Sequence, residues 1–391
     1  MGKHDIVIIG GGPGGLSTAL HIARDFPHLT SRVLILEKAR YPRTKLCAGG
    51  LVIDAETLLQ RLGLDVCELP YVDVDRIQFD FEAEGVKIRF PGRHALRVIR
   101  RDELDHWLAK KAASQGVEIR EGVTVRTVIP DPDGVTVETE QGIFRANVVV
   151  GADGSNGVTR RSIFPDAPVH TARALEILTP VQENAPTSGE DTLHRTSIAY
   201  FEFLPILSNI AGYVWDFPTQ VNGEALRCWG IYDTNLLAGQ KRPPLKETLA
   251  KEMLRLGFDL SNYEIRGHPI RWFSPTNHMS VPRVLLVGDA AGADPFLGEG
   301  ISVALGYGAL AAREIGEAFA KDDFAFRNYK ARVLKSPLGQ ALVMRWLLTH
   351  SVYHLKWKWA QVLLWRILKP FVVLFARIFV LNWGRRMSST L

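Results

Sequence analysis

Residues 5–10, DIVIIG, form an unbroken apolar run that stops at glycines, the pattern of a strand buried on both faces of a parallel sheet. Behind it, Leu16, Ala19, Leu20 and Ala23 recur at helical spacing over 14–25, and a second apolar run, RVLILE, fills 32–37. This order predicts a strand–helix–strand unit. From Arg76 to Val98 the pattern changes to alternation (Ile77, Phe79, Phe81, then Val86, Ile88, Phe90), which predicts antiparallel strands. A helix is expected over 102–115, β-like stretches over 123–129 and 134–139, and another buried strand at 146–151, ANVVVG. Between Arg160 and His268 the chain turns aromatic and proline-punctuated, with β-like pieces at 198–204, 212–217 and 226–232. A last buried run, RVLLVG at 283–288, leads into a small-residue helix over 298–319, and residues 324–391 read as helical with breaks near Pro337 and Pro370.

The first glycine cluster gives this pattern chemical meaning. Gly10, Gly12 and Gly15 satisfy GxGxxG between a buried strand and the start of a helix, with Pro13 and Gly14 inside the turn. The first glycine permits the tight turn, the second admits a pyrophosphate to the backbone, and the third lets helix and strand pack closely. The helix N-terminus favours the negative charge. Glu37, 22 residues past Gly15 at the end of the second strand, is placed to accept hydrogen bonds from an adenosine ribose, with Lys38 beside it. The expected fold is an α/β composite. A Rossmann-like dinucleotide-binding domain is drawn from 1–75, 99–165 and 269–323, an antiparallel β-sheet substrate lobe from 76–98 and 166–268, and a helical tail from 324–391.

Composition narrows the function classes. At 46% hydrophobic and 23% charged residues, with no repeat or low-complexity run, the 391-residue chain has the makings of a packed core. Three widely spaced cysteines, Cys47, Cys67 and Cys228, offer neither a disulfide framework nor a metal ligand set, so no metal is expected. A reducing compartment follows, and with no secretion signal at the N-terminus the protein is expected on the cytoplasmic side. The net charge of +5 is unevenly spread: no acidic residue follows Asp323, the last 68 residues carry twelve Lys or Arg, and the rest of the chain therefore carries −7. No basic stripe suited to nucleic acid remains on the body.

Two further segments, VVGADG at 149–154 with Asp153 and LVGDAAGAD at 286–294 with Gly288 and Asp289, follow the glycine motif in order. Together they resemble the flavoprotein monooxygenase and reductase superfamily. By that resemblance the cofactor is FAD, Asp289 serves its ribityl chain, and Gly298, Gly300 and Ile301 open a helix aimed at the isoalloxazine. Arg101, in RRDELDHWL, resembles the Arg lying along the cofactor's phosphate and ribose side. A salt bridge to Asp105 across one helical turn is the alternative.

Within the superfamily the chain resembles the geranylgeranyl reductase family. PRTKLCAGG at 42–50, with Lys45, Cys47, Ala48 and Gly49, is similar to its PxxKxCGG segment; YVWDFP at 213–218, with Tyr213, Trp215 and Phe217, is similar to YxWxFP; DPFLGEGI at 294–301, with Pro295, is similar to its third flavin segment. Ala48 and Thr219 depart from the family's usual glycine and lysine. By resemblance Cys47 approaches the flavin, where its thiol could donate a proton or tune the ring; it could equally be a buried small hydrophobe. Tyr213 and Trp215 share a strand face and line an apolar slot or pack the core.

The resemblance implies reduction of carbon–carbon double bonds in a prenyl chain on a lipid or quinone, with NADPH or ferredoxin as undecided electron donor. A flavin monooxygenase of an apolar small molecule and a non-catalytic prenyl carrier are the alternatives. In the tail, Lys358, Arg366, Lys369 and Arg377 share one sector of a helix whose opposite side is apolar and Trp-rich. Residues 340–391 are therefore expected to lie on the inner face of a membrane, with attraction to anionic headgroups; a lid on the substrate lobe or a dimer interface is the alternative.

Overall fold

The first apolar run becomes strand Ile6–Ile9, buried throughout, at the centre of a six-stranded sheet. The computed structural model describes residues 4–82, 84–181, 197–255, 257–377 and 381–388. Strands Val33–Glu37 and Val148–Gly151 flank the first strand, both parallel to it. The sheet continues in parallel to Glu118–Glu121 on one side and Val284–Leu286 on the other, where a short antiparallel strand, Ser280–Val281, closes it. Parallel strands need both faces covered. Ile6, Ile8, Ile35 and Val150 pack under helices Pro13–Asp25, Arg101–Ser114 and Ile301–Lys321. Val7, Ile9, Leu34 and Val149 pack against the antiparallel sheet of Val125–Asp131, Gly134–Thr139 and Gly142–Ala146.

The chain leaves the first strand to one side and returns on the other, so Ile6–Ile9 is a switch point. In open α/β sheets ligands bind beyond the carboxyl ends of the strands at such a point. Gly10, Glu37, Ala152 and Gly288 all lie at those ends.

A seven-stranded sheet forms the second layer, in the order Arg266–Arg271, Thr171–Pro180, Glu224–Asp233, Gly212–Val221, Ile198–Glu202, Arg76–Phe81, Glu84–Ile88. Its outer face (Ile177, Val214, Trp229, Ile231) is covered by helix Leu245–Arg255, and its inner face (Ala172, Tyr213, Trp215, Phe217, Tyr232) looks toward the nucleotide-binding body. The sheet departs from full antiparallel order at one pairing: Ile198–Glu202 runs parallel to Arg76–Phe81. These strands come from separate passes of the chain, and no hairpin joins them to impose opposite directions. Leu96–Val98, expected within this lobe, pairs instead with Gly50–Val52 and Val72–Val74 in a small antiparallel sheet.

The tail folds back over the molecule as short helices, Tyr329–Lys335, Pro337–Val352, Lys358–Val362 and Lys369–Phe375, with Trp383–Ser388 closing it. Trp365 is buried against Phe203 (ring centroids 4.5 Å apart) and Phe79 (6.3 Å). Trp383 is buried over Gly306, and Asp54 accepts hydrogen bonds from the amides of Asn382 (3.2 Å) and Gly384 (2.8 Å).

Three of the four residues in the basic stripe are paired with the body, while Arg377 stays exposed. Lys358 pairs with Glu82 at 2.6 Å, Lys369 with Glu84 at 3.4 Å, and Arg366 with Glu82 at 3.5 Å and Glu84 at 3.4 Å. Carboxylates at the tip of the 76–88 hairpin hold these three side chains against the body, and the apolar side is left exposed: Trp357 at 60%, Trp359 at 67%, Ile367 at 65% and Phe371 at 69%. Among the described residues no helix is long and apolar enough to cross a membrane.

Candidate active site

Gly10 takes φ +107°, a conformation that glycine adopts freely, and a Cβ there would overlap the Ala152 carbonyl. A Cβ on Gly15 would overlap the carbonyl of Gly10, so this glycine packs the helix onto the strand as expected. Gly12 caps helix Pro13–Asp25, with Pro13 in its first turn; a Cβ on Gly12 would meet only Arg43 Nη2, at 3.5 Å. Its backbone is left bare on the cavity side. Glu37, expected to face a ribose, has its carboxylate accepting from the Gly11 amide at 2.7 Å and the Ala39 amide at 3.0 Å, fixing the turn. The Tyr41 hydroxyl donates to the Gly11 carbonyl from the other side.

The distant third segment meets this turn directly. A Cβ on Gly14 would lie 3.3 Å from Val287 Cγ2 and 3.4 Å from the Gly288 nitrogen. Asp289 follows, accepting from Ser155 Oγ at 3.2 Å, and its other oxygen faces Gly300. The loop 294–300 then delivers the N-terminus of helix Ile301–Lys321, with Gly300 as its cap and Gly298 at φ +67° against Tyr232. Two helix starts therefore open on one cavity of about 690 Å³, lined by Gly10, Gly12, Asp289, Gly298, Gly300 and Ile301.

Most of the other sequence-nominated residues line this same cavity, including Lys38, Lys45, Cys47, Ala48, Gly49, Arg101 and Asp153. Gly15 and Pro295 stand behind it. The Pro295 carbonyl accepts from Tyr232 Oη at 3.2 Å, which makes Pro295 a support for the wall. Arg101 forms the bidentate pair with Asp105 (2.9 Å for both bonds), and Arg43 joins the same carboxylate at 2.9 Å. The Asp153 carboxylate turns to the amide (2.8 Å) and hydroxyl (3.0 Å) of Thr159, where it caps the short helix Val158–Ile163.

Beyond the nucleotide end, the walls become aromatic. Tyr213 donates to the Leu297 carbonyl, tying the lobe to the loop before Ile301. Trp215 lies over Gly230, where any Cβ would overlap its indole, and Phe217 packs on Gly50. Ile77, Phe79, Ile88 and Phe90 extend the apolar lining toward the tail. Gly49, at φ +78°, lets the 42–50 segment approach Ile99 closely, and the Gly49 amide donates to Cys47 Sγ at 3.4 Å. Burial pushes the Cys47 thiol up, so it remains a thiol at neutral pH.

Several residues of the site escape a reading of motifs. His268 Nε2 sits 2.5 Å from Lys45 Nζ; burial first, then the ammonium, holds His268 down to about 4, so it accepts from Lys45 as a neutral imidazole. Glu176, on strand Thr171–Pro180, lines the cavity beside Trp215 and Cys47, and burial raises its carboxyl to about 7. Arg345, from the tail, reaches Asp294 at 3.1 Å and Glu299 at 3.5 Å. Each became part of the site through a strand register or tail packing that no local motif encodes.

The residues present fit a flavin dinucleotide. A bare glycine backbone and a helix start face the pyrophosphate position, and a second helix start faces the far, aromatic half. Fold and site define an FAD-dependent oxidoreductase. Residues 3–319 match the FAD binding domain family. The digeranylgeranylglycerophospholipid reductase 2 of Methanothermobacter thermautotrophicus is 30% identical over 335 residues, 81% of this chain and 78% of that protein. The menaquinone reductase of Mycolicibacterium smegmatis is 26% identical over 327 residues, 79% and 76% of the two chains. A geranylgeranyl bacteriochlorophyll reductase-like protein from Thermoplasma acidophilum shares the fold with a TM-score of 0.77 at 19% identity, covering 99% of both chains. The chain belongs to the geranylgeranyl reductase family of FAD-dependent oxidoreductases.

Proposed function

We propose that this protein reduces carbon–carbon double bonds in the prenyl chain of a membrane lipid or quinone. The observation that carries this reading is the shape and lining of the cavity: it runs without interruption from the glycine turn past Tyr213, Trp215 and Phe217 to Phe79 and Phe90. An unsaturated hydrocarbon chain suits such a lining, because Phe79, Phe90 and Phe217 offer only ring surface and the Tyr213 hydroxyl is already bonded to Leu297. The named activities of the phospholipid and menaquinone reductases point to the same substrate class.

Bound FAD, once reduced, would supply hydride. The protein's part is to hold and to exclude. Gly12 and the start of helix Pro13–Asp25 would take the pyrophosphate, Asp289 the ribityl hydroxyls, and Gly298–Ile301 the pyrimidine side of the ring. Tyr213, Trp215 and Phe217 would shape the slot for the alkene and keep water from it. The exposed tail face of Trp357, Trp359, Ile367 and Phe371 would rest in the headgroup region at the cytoplasmic face of a membrane, where a polyisoprenoid is found. The tail reaches the apolar end of the cavity, since Trp365 stacks on Phe79.

The test is mass spectrometry of a digeranylgeranyl phospholipid and of menaquinone, each incubated in vesicles with the chemically reduced holoenzyme. Two hydrogens gained per double bond support the reading; one oxygen gained supports a monooxygenase and ends it.

A further inference from the structure

The slot contains one acid that stands apart from the glycine turn and the loops of the cofactor cradle. Glu176 is 8% exposed on the inner face of strand Thr171–Pro180, directly across from Gly230, over which Trp215 lies. The other acids lining the cavity hold the glycine turn, the loops around the cofactor cradle or the tail. Glu37 holds the Gly11 amide, Asp54 the Gly384 amide and Asp153 the Thr159 amide; Asp289 holds Ser155, Asp294 Arg345 and Glu299 Ser302. Glu176 accepts hydrogen bonds from the Cys47 amide and the Cys228 thiol, on the slot side of the lobe, with Arg100 and Arg266 as the neighbouring charges. Arg266 is its partner across the strand pair and half exposed, so the carboxyl sits between an aromatic slot and a route to solvent.

Reduction of an isolated prenyl alkene needs this kind of group. Such an alkene has no carbonyl to polarise it, and protonation at its less substituted carbon places positive charge on the tertiary carbon. The π faces of Trp215 and Tyr213 can stabilise a cation held against them. A thiol kept protonated by burial is a weaker acid than a carboxyl poised near neutrality.

Building on the prenyl-reduction reading above, we propose that Glu176 is the acid that protonates the alkene. The π bond breaks as one carbon gains the Glu176 proton and the other gains hydride from the reduced flavin. The products are a saturated carbon pair, oxidised flavin and a Glu176 carboxylate, which regains its proton from water along the Arg266 edge.

Glu176→Gln tests this in the holoenzyme, with Cys47→Ser as the competing donor. The expected E176Q protein binds FAD like the wild type and is reduced by dithionite, but reoxidation of its flavin by a digeranylgeranyl phospholipid without oxygen slows about 100-fold or more. The wild-type rate falls above pH about 7, as a required acid deprotonates, and that limb is absent from E176Q. Infrared difference spectra of the apoprotein between pH about 5.5 and about 8.5 show a carboxyl band that E176Q lacks. Full reoxidation by E176Q, or loss confined to C47S, overturns the proposal. So does an E176Q protein that no longer holds flavin, which would make Glu176 a structural group. A wild-type enzyme that saturates no prenyl lipid fails separately and first, by refuting the parent reading.

Discussion

Arg345 of the tail places Nη1 3.1 Å from Oδ2 of Asp294, and both side chains are buried. Asp294 also accepts from the Phe296 amide at 2.7 Å, so the pair fixes the loop that ends at Gly300. Tyr353 Oη, donating to the Phe296 carbonyl at 2.5 Å, adds a second tie from the tail. Arg345→Ala leaves a carboxylate buried without this partner and is expected to cost about 3–5 kcal/mol. Denaturant unfolding of the holoprotein, followed by flavin fluorescence, should show the loss together with faster release of FAD.

Glycine substitutions separate folding from cofactor binding. Gly12→Ala brings a methyl into ordinary contact with Arg43 Nη2 alone and is expected to leave apoprotein stability within about 0.5 kcal/mol of wild type. It nevertheless obstructs the pyrophosphate, so FAD affinity should fall by tenfold or more. Gly10→Ala, at φ +107° and against Ala152, should lower both. Calorimetry of the apoproteins and FAD titration read the two effects apart.

His21 is buried and held down to about 4, chiefly by desolvation. The unfolded histidine titrates near about 6.5, so between these values the unfolded chain binds the extra proton. Its share of stability is complete above pH about 6.5 and is lost as pH falls toward 4, at a slope on the order of 1 kcal/mol per pH unit. Wild type should thus lose ground to His21→Asn on acidification. Melting curves of the two proteins at a series of pH values give the difference directly, and a gap independent of pH would reject the assignment.

The tail face should bind vesicles mainly through apolar contact, because Lys358, Arg366 and Lys369 are already paired with Glu82 and Glu84. Changing Trp357, Trp359, Ile367 and Phe371 together to Gln should reduce vesicle sedimentation more than tenfold without lowering the melting temperature. Raising salt should weaken wild-type binding far less.

Trp215 depends on a missing side chain opposite it. Gly230→Val drives a branched side chain into its indole and against the Leu175 carbonyl of the neighbouring strand; it should abolish prenyl reduction while FAD remains bound, since the cradle lies elsewhere. Absorbance of the purified variant and lipid mass spectrometry check both halves.

What could be read from the sequence was local. Apolar runs ending in glycine located the parallel strands at Ile6–Ile9 and Val148–Gly151, and spacing alone set the turn at Gly10–Gly15. The structural role of Glu37 was hidden, because the Gly11 amide becomes its donor only once the turn closes. Glu176 carries no motif: its position follows from the register that sets it opposite Gly230. The tail's helical periodicity was visible, but which face turned outward was decided by Glu82 and Glu84, more than 270 residues away in the chain.

The touch of Gly14 on Val287 and Gly288 joins stretches that leave the ribosome well apart in time. While the ribosome is still building the middle of the polypeptide, the first glycine turn has only half a binding site. The nascent protein should therefore stay colourless until the late strand and the helix that follows it have emerged. Acquisition of the yellow cofactor then reports completion of the body, and a chain cut short before that point leaves nothing able to retain it.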